Sequence, residues 1–276
     1  AGFARNVAQG LPAEVQTLLD GSFANTAILA LNYVDAISEA YAARLGERAL
    51  AAHAGGAHRP ATAVRIEPRV RYNPALRSEN YVVPGLFAVI LMAFPPLLTA
   101  LAVVRERERG SILQIYSAPI RPWEFLGGKL LPYAALAFLE MLLLLAAGTF
   151  WFSAPVRGSL ALLLALALLY VLATVGIGLL ISTRTRSQVV AILLSIVLTL
   201  MPSFLFSGFL FPIETMPPFF QWYTHLFPAR HFMEIARGIS LKGIGLDRLW
   251  PSAALLLAYA AGVLTLASLR FRRMIG

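Results

Sequence analysis

Few residues in this chain carry groups that could do chemistry, and their spacing closes most routes. Cysteine does not occur in the 276 residues. That excludes a disulfide scaffold, a Cys-ligated zinc site, an iron–sulfur cluster and a thiol nucleophile. The histidines are His53, His58, His225 and His231. His53 and His58 flank a Gly-containing stretch, where a shared metal competes with the plainer reading of two loop histidines. His225 and His231 suit interfacial or hydrogen-bonding roles better than ligand roles. No metal is assigned. Neither HExxH nor GxSxG is present. Gly127-Gly128-Lys129 runs into Leu130 and an apolar stretch, so it lacks the phosphate-cradling pattern. No catalytic residue and no bound cofactor are expected. One charge stands out by position: Glu140 is the only one within Leu130–Val156. A charge at mid-membrane costs about 2.5–3.5 kcal/mol on insertion scales. It reads either as a polar contact in a translocation path or as a helix–helix hydrogen bond.

The elements around these residues are those of a membrane protein. Hydrophobic residues make up 58% of the chain and charged ones 13%. Soluble domains hold about 45–50% and about 25%. Hydrocarbon about 30 Å thick needs about 20 apolar residues per helix. Val82–Val104, Gly158–Thr183, Ser187–Ile213 and Leu249–Leu269 carry no charge, and Leu130–Val156 carries one. These runs predict five transmembrane helices, near 82–104, 131–152, 159–182, 188–210 and 251–269. They lack the alternation of a membrane barrel. Thr174, Gly178 and Ser182, and likewise Ala254, Ala258 and Gly262, form small-residue stripes suited to helix packing, within the chain or between copies.

Residues 1–80 regain ordinary charge density and predict a small α/β domain. A strand before the turn at Asp20-Gly21-Ser22 leads to a helix over 24–50, with Ile28, Leu31, Val34, Ile37 and Tyr41 as its stripe. Val64–Tyr72 alternates as a half-buried strand does. Residues 81–276 form the transmembrane domain.

The net charge of +9 would suit nucleic acid or an anionic membrane surface. Its location favours topology. Arg105, Arg107, Arg109, Arg121 and Lys129, then Arg184 and Arg186, then Arg270, Arg272 and Arg273 fall in three segments of one side. By the positive-inside rule these are cytoplasmic. Residues 1–80, the 153–158 turn and the connection after Phe211 then lie outside. That orientation predicts a further, sixth span ahead of Ala1.

Two loops carry information. Segment 105–129 begins with alternating charges, Arg105 to Arg109, read as a self-paired cap. Gly110-Ser111 restarts a helix with Ser111 as N-cap. Ile112, Leu113, Ile115 and Tyr116 make it amphipathic, and Pro119 and Pro122 end it. Docking to a cytoplasmic partner and a plain membrane-surface elbow both fit. The outer region 211–250 is rich in aromatics and in Pro212, Pro217, Pro218 and Pro228, which forbid one continuous helix. A re-entrant pair of short helices fits. His231–Ile239 is expected at the interface, with Arg230 and Arg237 at its polar edges.

Read together, these features resemble the ATP-binding-cassette type-2 (type V) export permeases, in particular bacterial drug- or lipid-export permeases with a large extracytoplasmic domain. The resemblance spans nearly the whole chain. It is carried by Gln16–Gly21, Tyr72-Asn73-Pro74, Val83-Pro84-Gly85-Leu86, Glu106–Ser111, Ser117–Ile120, Gly127–Leu130, Ser207–Glu214, Met216-Pro217, Arg237-Gly238 and Lys242-Gly243. Phe23 and Ala118 depart from the common pattern.

The resemblance implies a permease subunit of an exporter in the bacterial inner membrane. It would move drugs, lipids or glycans outward. Its partners would be a separate cytoplasmic ATPase, which binds the ATP and Mg, a second permease subunit (homodimer or paralogue), membrane lipid and a periplasmic adaptor, with no nucleic acid. ATPase coupling would fall to Glu106, Arg107, Glu108, Arg109, Gly110, Ser111, Ile112, Leu113, Tyr116 and Pro119. The outer gate would involve Gly208, Pro212, Glu214, Pro217, Pro228 and Arg237. The alternatives are a secondary transporter or channel without an ATPase, and an intramembrane enzyme or assembly factor.

Overall fold

A computed structural model describes residues 6, 13–21, 23–52, 64–110 and 122–275. The chain divides into two compact units after Tyr81.

The first unit contains β1 (Ala13–Asp20), α1 (Ala24–Ala52) and β2 (Val64–Arg71). β1 and β2 pair in parallel, in register from Ala13↔Val64 to Asp20↔Arg71. A parallel pair needs a long crossover, and α1 lies within it. Gly21 closes β1, and its N–H donates to the Arg71 carbonyl at 3.0 Å. A Cβ there would sit 2.9 Å from that carbonyl. Asn73 organises the turn after β2. Its Oδ1 accepts from Asn80 Nδ2 at 2.9 Å and from the Arg77 N–H at 3.2 Å. The helix stripe is shifted from the sequence expectation. Ala24 and Ala27 are buried, Leu31 and Val34 half-buried, while Ile28, Ile37 and Tyr41 are exposed. The inward row follows the 3.6-residue period but begins on alanines, which periodicity of bulky residues misses.

The second unit is helical. α2 (Ser78–Glu108), α3 (Pro122–Phe150) and α4 (Leu160–Ser182) are continuous. α5 (Gln188–Ser195) and α6 (Met201–Phe206) are joined by a π-helical turn over Ile196–Leu200. α7 (Pro218–Tyr223) and α8 (Pro228–Arg237) are short, and α9 (Leu246–Ile275) closes the chain. Among the described residues, five helical stretches are long and apolar enough to cross a membrane: Ser78–Glu108, Leu126–Phe150, Leu160–Ser182, Gln188–Phe206 and Leu246–Phe271. They match the four charge-free runs and the one that carries Glu140 alone. The last starts before the expected residue 251 and carries Pro251 inside it.

α4 sits at the centre. Leu163, Ala167, Tyr170, Val171, Thr174, Val175 and Leu179 are all buried. The two small-residue stripes part ways. Thr174, Gly178 and Ser182 are buried, and a Cβ at Gly178 would collide with the Pro96 carbonyl and lie 2.8 Å from Thr99 on α2. Close helix approach there requires glycine. Ala254, Ala258 and Gly262 are instead exposed, with open space around Gly262. α9 packs through Ser252, Leu256, Ala260, Val263 and Ala267.

Candidate functional site

Two ends of the bundle gather the polar side chains. At one end lie the last turn of α2, the first turns of α3, and the turn between α4 and α5. Helix ends there leave N–H and C=O groups without intrahelical partners. The alternating charges of α2 reach those groups. Arg107 Nη1 donates to the Ser182 carbonyl at 3.3 Å and to the Thr185 carbonyl at 2.8 Å. The first carbonyl is the last of α4, where a cation also suits the helix dipole, and the second lies in the turn that follows. Glu108 Oε1 accepts from the Gln188 N–H at 2.8 Å, and Oε2 accepts from the Gln188 side-chain amide. Glu108 therefore caps α5, whose own N-cap residue Ser187 makes no side-chain cap bond. Glu106 accepts from Lys129 Nζ on α3. The expected self-paired cap is thus a set of ties between helices. Gly110 follows in a left-handed turn with φ 74°. Ser111, Ile112, Leu113, Tyr116 and Pro119 lie outside the described residues. Beside this end, Leu126, Gly127, Leu130, Leu179, Leu264, Ala267 and Ser268 line an apolar cavity of about 170 Å³.

At the opposite end, the connection from Ser207 to Gly245 packs by aromatic rings and buried cations. Phe206 stacks on Phe227 at 5.5 Å and on Phe220 at 6.1 Å, and meets Tyr223 edge-on at 5.2 Å. Phe219 and Trp222 remain exposed, as interfacial aromatics do. α7 and α8 supply the short-helix pair that the prolines predict.

α8 corrects the expectation of a surface helix. Ala229, His231, Phe232, Met233, Ile235, Ala236 and Arg237 are buried. Phe232 stacks on Tyr170 of α4 at 4.3 Å, and the Tyr170 hydroxyl donates to the Ala88 carbonyl at 2.7 Å. Arg237 is 8% exposed and sits at no polar edge. Its Nη1 donates to the Gly208 carbonyl at 2.8 Å. The left-handed Gly208 (φ 82°) turns that carbonyl toward it. Gly85 makes room, since a Cβ there would lie 2.7 Å from the Phe209 ring and 3.0 Å from the guanidinium. Nη1 thus meets a carbonyl inside the bundle, which offsets part of the cost of burying the cation.

The other named residues of this end behave differently. Pro228 starts α8 and is buried. Glu214 lies in an exposed 3-10 turn after Pro212, and Pro217 is exposed at the start of α7. Arg230 Nη1 donates to the Gln221 carbonyl at 2.7 Å and to the Thr224 hydroxyl, near the end of α7. Ser252 Oγ donates to Glu234 Oε2 at 2.6 Å, tying α8 to α9. Arg157 Nη1 donates to the Leu241 carbonyl at 3.3 Å. His231 Nε2 lies 3.2 Å from the His225 carbonyl. Burial holds the His231 imidazole below its ordinary pKa, against the upward pull of the hydrogen bond to the His225 carbonyl, and the Arg230 and His225 charges add to the lowering. A neutral imidazole donating Nε2–H to that carbonyl fits the geometry.

Glu140 is half-buried on α3, between the buried Ala137 and Met141 and the exposed Leu136, Leu139 and Leu143. It makes no hydrogen bond or ion pair with the described residues. Among those residues no cluster of three His, Asp or Glu side chains could hold a metal.

A family model described as ABC-2 family transporter protein matches residues 1–269. The chain belongs to this family. It is 34% identical over 275 residues to the "Probable multidrug ABC transporter permease YbhR" of Escherichia coli strain K12, covering all of this chain and 72% of that protein. It is 35% identical over 231 residues to the "Probable multidrug ABC transporter permease YbhS" of the same strain, covering 84% of this chain and 59% of that protein. It is 27% identical over 206 residues to "ABC transporter G family member 20" of Dictyostelium discoideum, covering 74% of this chain and 28% of that protein. An ABC-2 permease is the membrane-embedded transport component of an ATP-driven exporter, with ATP hydrolysis in a separate protein. The family works with that ATPase and in a dimeric arrangement. Membership sets aside the secondary transporter and the intramembrane enzyme.

Sequence reasoning named Glu106, Arg107 and Glu108 but missed their acceptors, Ser182 and Thr185, and the donor amide of Gln188. Lys129 and Arg230 were read only as topology charges and a polar edge. These ties join residues far apart in sequence, where local periodicity carries no signal.

Proposed function

We propose that the chain exports hydrophobic or amphipathic substrates (drugs, lipids or glycans) out across the bacterial cytoplasmic membrane. The arginine-rich end faces the cytoplasm, together with the C-terminus, and residues 1–80 face outward. Segment 105–129 docks on a cytoplasmic ATPase, which binds the ATP and Mg, while the chain itself binds no cofactor. Nucleotide-driven closure of the ATPase pair pushes on residues 110–118, and helix ends follow. The connection over 211–250, with Gly208 and Arg237 at its base, gates exit. Glu140 offers a polar contact on an otherwise apolar face of α3. A second permease subunit, a homodimer mate or a paralogue, completes the pathway, and lipid and a periplasmic adaptor flank it.

The observation that carries this reading is the concentration of Arg105, Arg107, Arg109, Arg184, Arg186 and Arg270 in segments that positive-inside statistics assign to the cytoplasm. Co-purification with an ABC ATPase encoded alongside, followed by ATP hydrolysis in liposomes with candidate amphipathic substrates, tests it. Substrate-stimulated hydrolysis is expected. A permease that binds no ATPase would refute it.

A further inference from the structure

We infer that Glu106, Arg107 and Glu108 are positioning residues that make the last turn of α2 a rigid joint, passing displacement of the following segment to α3, α4 and α5 at once. The inference rests on the coupling role proposed for 105–129.

Successive helical residues point about 100° apart, so three in a row cannot serve one neighbour. Here each grips a different helix: Glu106 takes Lys129 of α3, Arg107 the exit of α4, Glu108 the entry of α5. The grips are on helix termini rather than on flexible side chains alone. Arg107 holds two carbonyls, and Glu108 holds a backbone N–H. Each sign matches the terminus it meets, cation at the C-terminal end and anion at the N-terminal end. Charge-assisted bonds of this kind are short and directional, so they fix relative position even where exposure limits their energy.

α5 has no cap of its own from Ser187, so its first turn depends on Glu108. α2 ends immediately afterwards, where Gly110 turns left-handed with open space around it. The coupling segment therefore begins two residues beyond the joint. On the far side, α4 lies against Pro96 and Thr99 of the same α2 through Gly178. A push at Gly110 arrives at α4, whose buried face packs in the core, through two contacts rather than one.

No cysteine occurs in the 276 residues, so two introduced cysteines are the only labelled positions among them, with a cysteine-free ATPase as partner. Arg105→Cys and Arg186→Cys place spin labels on two exposed positions outside the joint. A second pair, Arg186→Cys with Asp247→Cys, spans the bundle. The permease–ATPase complex is measured by electron–electron double resonance, nucleotide-free and trapped with ATP and vanadate. With the joint intact, the 105–186 distance stays fixed while the 186–247 distance shifts on trapping. In Arg107→Ala the 105–186 distribution broadens and the 186–247 shift is at least halved, although the ATPase still co-purifies. Arg107→Lys, which keeps the charge but not the two-carbonyl grip, retains folding and shows the same loss in part. A 186–247 shift that survives both substitutions undiminished, or a 105–186 distance that changes on trapping of the intact protein, overturns the joint. Failure of the unsubstituted permease to bind an ATPase instead overturns the coupling reading, and the joint with it.

Discussion

The two ends of the bundle are held by different physics. At the arginine-rich end, charged side chains cross between helices and seize backbone termini, with Arg107, Glu108 and Lys129 half-buried or exposed. At the aromatic end, rings stack and cations are taken inside, as with Arg237 on the Gly208 carbonyl. Ties between half-exposed charges and helix ends contribute modestly to stability but fix relative position. Buried stacking and buried donors contribute more, and resist local change. The contrast suits an end that must transmit movement and an end that must hold or release as a packed unit.

That contrast predicts where substitutions cost stability and where they cost response. Phe232→Ala removes the ring stacked on Tyr170 and opens a cavity in the core. The loss should be about 3–5 kcal/mol, read as a large drop in Tm of the detergent-solubilised protein. Arg237→Met leaves the Gly208 carbonyl without that donor, at about 1–3 kcal/mol, and should raise protease sensitivity around 207–215. Arg107→Ala should cost about 1 kcal/mol or less in Tm measurements yet show the larger change in ATPase response, which reverses the order. An Arg107→Ala variant as unstable as Phe232→Ala would erase the distinction between the ends.

Acid gives a subtler probe. His231 is held neutral in the folded chain, its pKa below the ordinary imidazole value of about 6.5. His225 is lowered as well, again chiefly by burial. Below about pH 6.5 the unfolded chain takes protons that the folded chain resists, so stability is full above that pH and falls as pH drops below it. Thermal melts from pH 7.5 to 5 should show this slope, and His231→Gln should flatten it. The smallest effect is expected for Lys129→Ala, about 0.5 kcal/mol or less, and high salt should mimic it.

Much of the architecture was legible beforehand. Charge-free runs mark spans because hydrocarbon excludes charge, whatever the neighbours. The two strands and α1 followed from alternation and helical spacing. What stayed hidden depends on who sits opposite. Hydrophobic spacing could not show that α1 would turn alanines inward and leave Ile37 out. Amphipathic logic put Arg237 at a polar edge because it counts a guanidinium as polar, blind to the carbonyl waiting at Gly208. Glycine stripes look alike in sequence, yet Gly178 is clasped by α2 and Gly262 faces open space. Within the candidate site, the charged residues of α2 were picked out, but as contacts to another protein. Their partners within the chain were invisible to local pattern.

The double grip of Arg107 and Glu108 also constrains length. The turn between α4 and α5, residues 183–187, is short and polar, the sort of loop in which insertions and deletions ordinarily pass. Here its two ends are pinned by neighbouring residues on one helix. One added residue would have to bulge out of this turn or carry Gln188 away from Glu108 while Arg107 still held the end of α4. This loop should therefore reject single-residue insertions despite its short, polar character.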